Sequence, residues 1–167
     1  MVTPRTLAPV AVVAVLVAIL VVWLKPDSPE RQVRNRFRQL EELVTRSDAE
    51  SPLLSVAHAR QIGALFDESC EIRTDVSFLT GTMTREEISQ KAIFGQSQFS
   101  DLTLRFHDLK IDFPGERRAL VLLSATLKGR LKGGDHASDA QELECELARV
   151  DGEWRFRSIR IVQVLKP

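Results

Sequence analysis

Residues 140–165, AQELECELARVDGEWRFRSIRIVQVL, decide the fold. Leu143, Cys145 and Leu147 share one parity, and beyond Asp151-Gly152 so do Trp154 and Phe156. Apolar residues at every second position mark strands with one buried face. Asp-Gly between two such runs is the strongest short hairpin signal. Residues 140–150 and 153–165 are therefore expected to pair antiparallel. Upstream, residues 101–113 and 117–131 alternate in the same way, and Pro114-Gly115 and Gly133-Gly134-Asp135 supply the turns. Turns this short join antiparallel neighbours, so the carboxyl-terminal half reads as a long meander.

Two of these strands change phase. Leu102, Leu104 and Phe106 share a face, but the next apolar set is Leu109, Ile111 and Phe113. Trp154 and Phe156 are likewise followed by Ile159 and Ile161. Each slip by one residue predicts a β-bulge, near His107-Asp108 and near Arg157-Ser158, and bulges bend a sheet.

Helices precede the meander. Ser28 with Pro29 behind it is a helix start, and Val33, Phe37, Leu40 and Val44 recur at helical spacing. This gives a helix over about 29–46. A second is expected from 52 to about 67. An alternating strand follows over 70–79, with Ile72, Thr74, Val76 and Phe78 on one face. Thr84-Arg85-Glu86-Glu87 is a capping box opening a third helix to about Gln96. The class is α+β: a curved antiparallel sheet wrapped around three helices.

Ahead of this domain, residues 7–24 read LAPVAVVAVLVAILVVWL, an unbroken apolar run between Arg5 and Lys25. As a helix, 18 residues rise roughly 27 Å, close to a bilayer's hydrocarbon thickness. Val22-Trp23-Leu24-Lys25-Pro26 offers no small residues for signal cleavage. The organisation is thus a short head at 1–6, a transmembrane anchor at 7–24, a linker at 25–28 and one domain over 29–167. Membrane lipid is the partner expected of the anchor. A short head with one Arg favours a bacterial inner membrane with the domain outside the cytoplasm. The basic residues Lys25, Arg31, Arg34, Arg36 and Arg38 argue the opposite orientation, tempered by the interleaved Glu30, Glu41 and Glu42.

Composition excludes more than it selects. Twenty-three Lys and Arg balance twenty-three Asp and Glu, so no basic face for nucleic acid is expected. His58, His107 and His136 have no linking spacing, and no metal or cofactor is read from them. Cys70 and Cys145, the only cysteines, could be joined outside the cytoplasm or could be packed as small apolar residues.

The element order, the stretch Ala64-Leu65-Phe66-Asp67-Glu68-Ser69-Cys70-Glu71-Ile72, the stretch Gly81-Thr82-Met83-Thr84-Arg85-Glu86-Glu87-Ile88, and Asp151-Gly152-Glu153-Trp154-Arg155-Phe156 together resemble the nuclear transport factor 2-like superfamily and its SnoaL-like members. The resemblance implies a cone with a pocket between helices and sheet, and a homodimer through the sheet face. Some members are isomerases, dehydratases, cyclases or epoxide hydrolases, and many only bind, so fold does not fix function. Ketosteroid-isomerase-like and scytalone-dehydratase-like sites depend on tyrosine, and this chain has none. Arg73-Thr74-Asp75 has the Arg-x-Asp spacing of epoxide-hydrolase-like sites. It lies outside the meander, however, on the face opposite Ile72, and reads as a solvated charge pair.

No catalytic residue is assigned. The pocket candidates are His107, re-aimed by its bulge beside Asp108; Cys145 on an inward face; Ser158 at the second bulge; Trp154 and Phe156; and Arg160. The reading is a membrane-tethered, non-catalytic binding or interaction module. The alternative is a small-molecule enzyme of SnoaL-like type, an isomerase, cyclase or hydrolase using the cone pocket.

Overall fold

The computed structural model describes residues 28–47, 51–74 and 79–165. The apolar run at 7–24 lies outside them, and among the described residues no helix is long and apolar enough to cross a membrane. The element order is α1 (Pro29–Val44), α2 (Pro52–Ala64), β1 (Phe66–Arg73), β2 (Gly81–Thr84), α3 (Arg85–Ser97), β3 (Phe99–Gly115), β4 (Arg118–Leu131), β5 (His136–Val150) and β6 (Glu153–Leu165). Six strands form one curved sheet in the order β2-β1-β6-β5-β4-β3. β1 runs parallel to β6, and every other pair is antiparallel.

Helix starts follow the capping chemistry. Ser28 accepts a hydrogen bond from the Arg31 amide at 3.3 Å, with Pro29 behind it. Ser51 does the same for Leu54. At α3 the box closes both ways: the Thr84 hydroxyl accepts from the Glu87 amide, and the Glu87 carboxylate accepts from the Thr84 amide at 2.8 Å. These bonds favour the ionised form and hold the Glu87 carboxyl below its usual range.

The bulges fall where the phase slips place them. In β3, His107 pairs with Ser124 and Lys110 with Leu122, which leaves one extra residue, and Asp108 takes φ 56°. In β6, Ser158 pairs with Glu146 and Phe156 with Leu147, so Arg157 is the inserted residue. A third irregularity separates Ile161 from Gln163. Asp151 and Gly152 both have positive φ, 51° and 83°, as a type I′ hairpin turn requires.

Helix α1 lies in the concavity with Val33, Phe37 and Leu40 buried. Its far end is held by Gln96, which is 5% exposed. The Gln96 Nε2 donates to the carbonyls of Leu43 (2.9 Å) and Val44 (3.3 Å), two of the orphan acceptors at a helix end. Leu65, Phe66, Cys70, Val121, Cys145, Leu147, Trp154 and Phe156 pack with them in the core.

Three sequence expectations shift. Helix α2 ends at Ala64 rather than 67, because the Leu65 carbonyl is already accepting from the Phe156 amide and starts the β1–β6 pairing. Strand β1 therefore begins at Phe66 and ends at Arg73, while 75–78, the end of the strand expected over 70–79, lie outside the described residues. The four-residue β2 was not foreseen. It pairs Cys70 with Met83 and buries the latter.

The two outer helices touch through a glycine. A Cβ on Gly63 would sit 2.5 Å from the Arg85 carbonyl oxygen and closer still to Ser89 Oγ, which is itself bonded to that carbonyl. By contrast, Gly95 in α3 has nothing within 4 Å of such an atom. Gly63→Ala is expected to lower the unfolding free energy by about 1–3 kcal/mol, because helix backbone must move apart. Gly95→Ala should be neutral or raise it by about 0.5–1 kcal/mol through helix propensity. Denaturant midpoints of the two variants check this, and a neutral Gly63→Ala would refute the close packing.

Candidate functional site

Beside Leu40 a cleft of about 320 Å³ opens on the concave face. Its walls are Leu104 and Phe106 of β3, Ala125 and Leu127 of β4, Leu143 of β5, and Ile159 and Ile161 of β6, with Thr74 and Leu79 alongside. The size and the lining are those of a small-molecule pocket. Two polar side chains join this wall, Asp139 and Gln141. They lie on β5 at the same parity as Leu143, Cys145 and Leu147, so the strand turns them inward. The Gln141 Nε2 donates to Asp139 Oδ2 at 2.9 Å. Among the described residues, no Lys, Arg or His lines the cleft. A wider groove of about 520 Å³ crosses the opposite, convex face beside the Arg130–Asp101 ion pair. It is shallow, and its charges read as ordinary solvated sheet surface.

The six residues singled out from sequence do not converge. His107 is exposed and pairs in register with Ser124, on the face opposite Phe106 and the cleft. Ser158 lies opposite Glu146 and Glu71, also on the convex face. Arg160 is exposed there too, in an ion pair with Glu144 at 2.7 Å. Cys145, Trp154 and Phe156 do face inward, but at 1%, 1% and 0% exposure they are packed within the core. The charged half of Arg73-Thr74-Asp75 that is described, Arg73, pairs with Glu71 at 2.6 Å on the outer surface. Asp139 and Gln141 were missed.

The thiols offer no nucleophile. Cys70 and Cys145 are both free and buried. Strand β6 lies between their strands, so their backbones are roughly 10 Å apart, beyond the reach of a disulfide. Burial, with the Asp67 and Glu71 carboxylates adding to it, pushes the Cys70 thiol up to about 12. Burial raises Cys145 further, helped by Cys70 and Glu144. Protonated thiols are inert as nucleophiles and as metal ligands. Among the described residues no cluster of His, Cys, Asp and Glu is arranged to hold a metal ion.

The architecture is found in solved structures. A candidate scytalone dehydratase from Novosphingobium aromaticivorans is 17% identical over 81% of this chain and 84% of its own, with a TM-score of 0.64. A candidate dehydratase of the nuclear transport factor 2-like family from Streptomyces avermitilis is 12% identical over 84% of this chain and 100% of its own, with a TM-score of 0.63. This chain has the nuclear transport factor 2-like fold. The hexachlorocyclohexane dehydrochlorinase LinA, type 2, is similar to this nuclear transport factor 2-like domain as well, at 13% identity over 82% of this chain and 88% of its own, with a TM-score of 0.64. At such identities the likeness concerns the fold alone. No family model and no curated protein matches the sequence.

The buried thiols carry a prediction. In the folded full-length protein at pH 8, neither cysteine should react with a thiol reagent such as dithionitrobenzoate within minutes. Concentrated guanidinium should release two equivalents at once. Rapid labelling of the native protein would contradict the packing described.

Proposed function

We propose that the domain takes a small, largely apolar molecule into the concave cleft. The observation that carries this reading is the cleft itself: an open apolar hollow with two polar side chains on one wall. Structural relatives named as dehydratases or a dehydrochlorinase favour a small-molecule role over a purely non-catalytic interaction module. Any acid–base step here falls to Asp139, the single titratable side chain lining the cleft among the described residues. The lack of tyrosine excludes tyrosine-dependent versions of the chemistry.

We further infer that residues 7–24 tether the domain to a bacterial inner membrane, with the domain outside the cytoplasm. The length of the apolar run and the single Arg in the head support this reading. Alkaline phosphatase fused to the carboxyl terminus should be active, since the enzyme matures only outside the cytoplasm. An inactive fusion whose fluorescent-protein counterpart glows would reverse the orientation.

Ligand entry is tested by filling the hollow. The probe is 1-adamantanemethanol, titrated calorimetrically into the full-length protein in detergent with empty micelles as blank. Ala125→Phe and, separately, Ile161→Trp should each weaken binding at least tenfold while the variants remain folded. Leu122→Phe on the convex face should leave it unchanged. Equal affinity in all four proteins would remove the cleft as the binding site.

A further inference from the structure

The two polar groups on the cleft wall differ in what they can still accept. Gln141 commits an N–H to Asp139 Oδ2. What the pair then offers a ligand is mainly oxygen: Asp139 Oδ1, which has no hydrogen-bond partner among the described residues, and the Gln141 carbonyl. The rest of the cleft is hydrocarbon apart from Thr74. No ion pair holds Asp139, and no cation lines the cleft among the described residues.

We propose that the molecule taken into this cleft carries a protonated amine on an apolar body, with the amine received by Asp139. The inference rests on the small-molecule reading above and names its ligand class. A ligand ending in a carboxylate or phosphate meets like charge at Asp139 and finds no cation to offset its lost hydration. An ammonium meets an acceptor pair already oriented by the Gln141 bond, and its charge-assisted bond is the stronger kind. An alcohol donates one hydrogen bond without the charge and falls between. Asp139 stands at the mouth, where water screens the interaction, so the discrimination is expected in tens of fold rather than thousands.

Three probes with one adamantyl body separate these cases: 1-adamantanemethylamine, 1-adamantanemethanol and 1-adamantanecarboxylate. Each is titrated into the full-length protein in detergent at pH 7, against empty micelles. The amine should bind at least tenfold tighter than the carboxylate, with the alcohol between. Asp139→Asn should bring the amine down to within about threefold of the alcohol, with the alcohol losing less than the amine. Asp139→Glu should keep the amine's advantage. A carboxylate that binds as well as the amine, or an advantage that survives Asp139→Asn, overturns the proposal while leaving the cleft as a site. If none of the three binds, the cleft reading falls and this inference falls with it.

Discussion

Phe37 is the wedge on which the sheet's shape depends. Its ring meets Phe106 edge-on at 5.3 Å and Phe156 edge-on at 5.0 Å, the geometry aromatic pairs favour. Those partners sit on β3 and β6, which are three strands apart in the sheet order. In a flat sheet three spacings set them roughly 14 Å apart. With one ring between them, their centroids can be separated by no more than about 10 Å. The sheet must curl to satisfy both contacts. The means lie next to the contacts, since the β3 bulge follows Phe106 and the β6 bulge follows Phe156. A buried Phe contributes about 3–5 kcal/mol against truncation, out of a whole stability of about 5–15 kcal/mol, so the wedge is a large share of what holds the cone together.

The cleft follows from where the wedge stops. Helix α1 packs into the concavity through Val33, Phe37 and Leu40, and Gln96 of α3 caps its last turn by donating to the Leu43 and Val44 carbonyls. The strands run on past that point. Leu127, Ile161, Asp139 and Gln141 therefore line the hollow with Leu40 as the one α1 residue beside them among the described residues, and the small Ala125 deepens it. A curled sheet longer than its helix leaves one open end, whatever the chain later does with it.

This geometry also explains what could be read from the sequence. Periodicity carries parity, so the phase slips after Phe106 and Phe156 located both bulges to within a residue. The capping residues Ser28 and Thr84 were legible because they act locally. The four residues of β2 are too few for any period to show, and α2 is apolar on several sides, with Leu53 and Leu54 left exposed, so its end was set by β1 pairing rather than by pattern. The site was harder. His107, Ser158 and Arg160 attracted notice for their chemistry and their nearness to bulges, but a bulge decides only that a side chain is re-aimed, not toward which face. Asp139 and Gln141 carried a usable signal, polar side chains in phase with Leu143, Cys145 and Leu147. A charge at an inward position is the anomaly that marks a pocket wall.

The same helix relates the cleft to the proposed tether. Three residues, Lys25 to Asp27, separate the apolar run from the Ser28 cap, which leaves little slack before α1 begins. Leu40, at the cleft, lies eleven residues beyond Pro29, roughly 17 Å along the helix axis. Antiparallel contacts fix the direction: Pro29 shares a groove with Phe113, whereas Arg46 bridges Leu102 at the other end of the same strand. The first turn of α1, which follows the proposed tether in sequence, and the cleft thus lie at opposite ends of one helix wedged into the sheet.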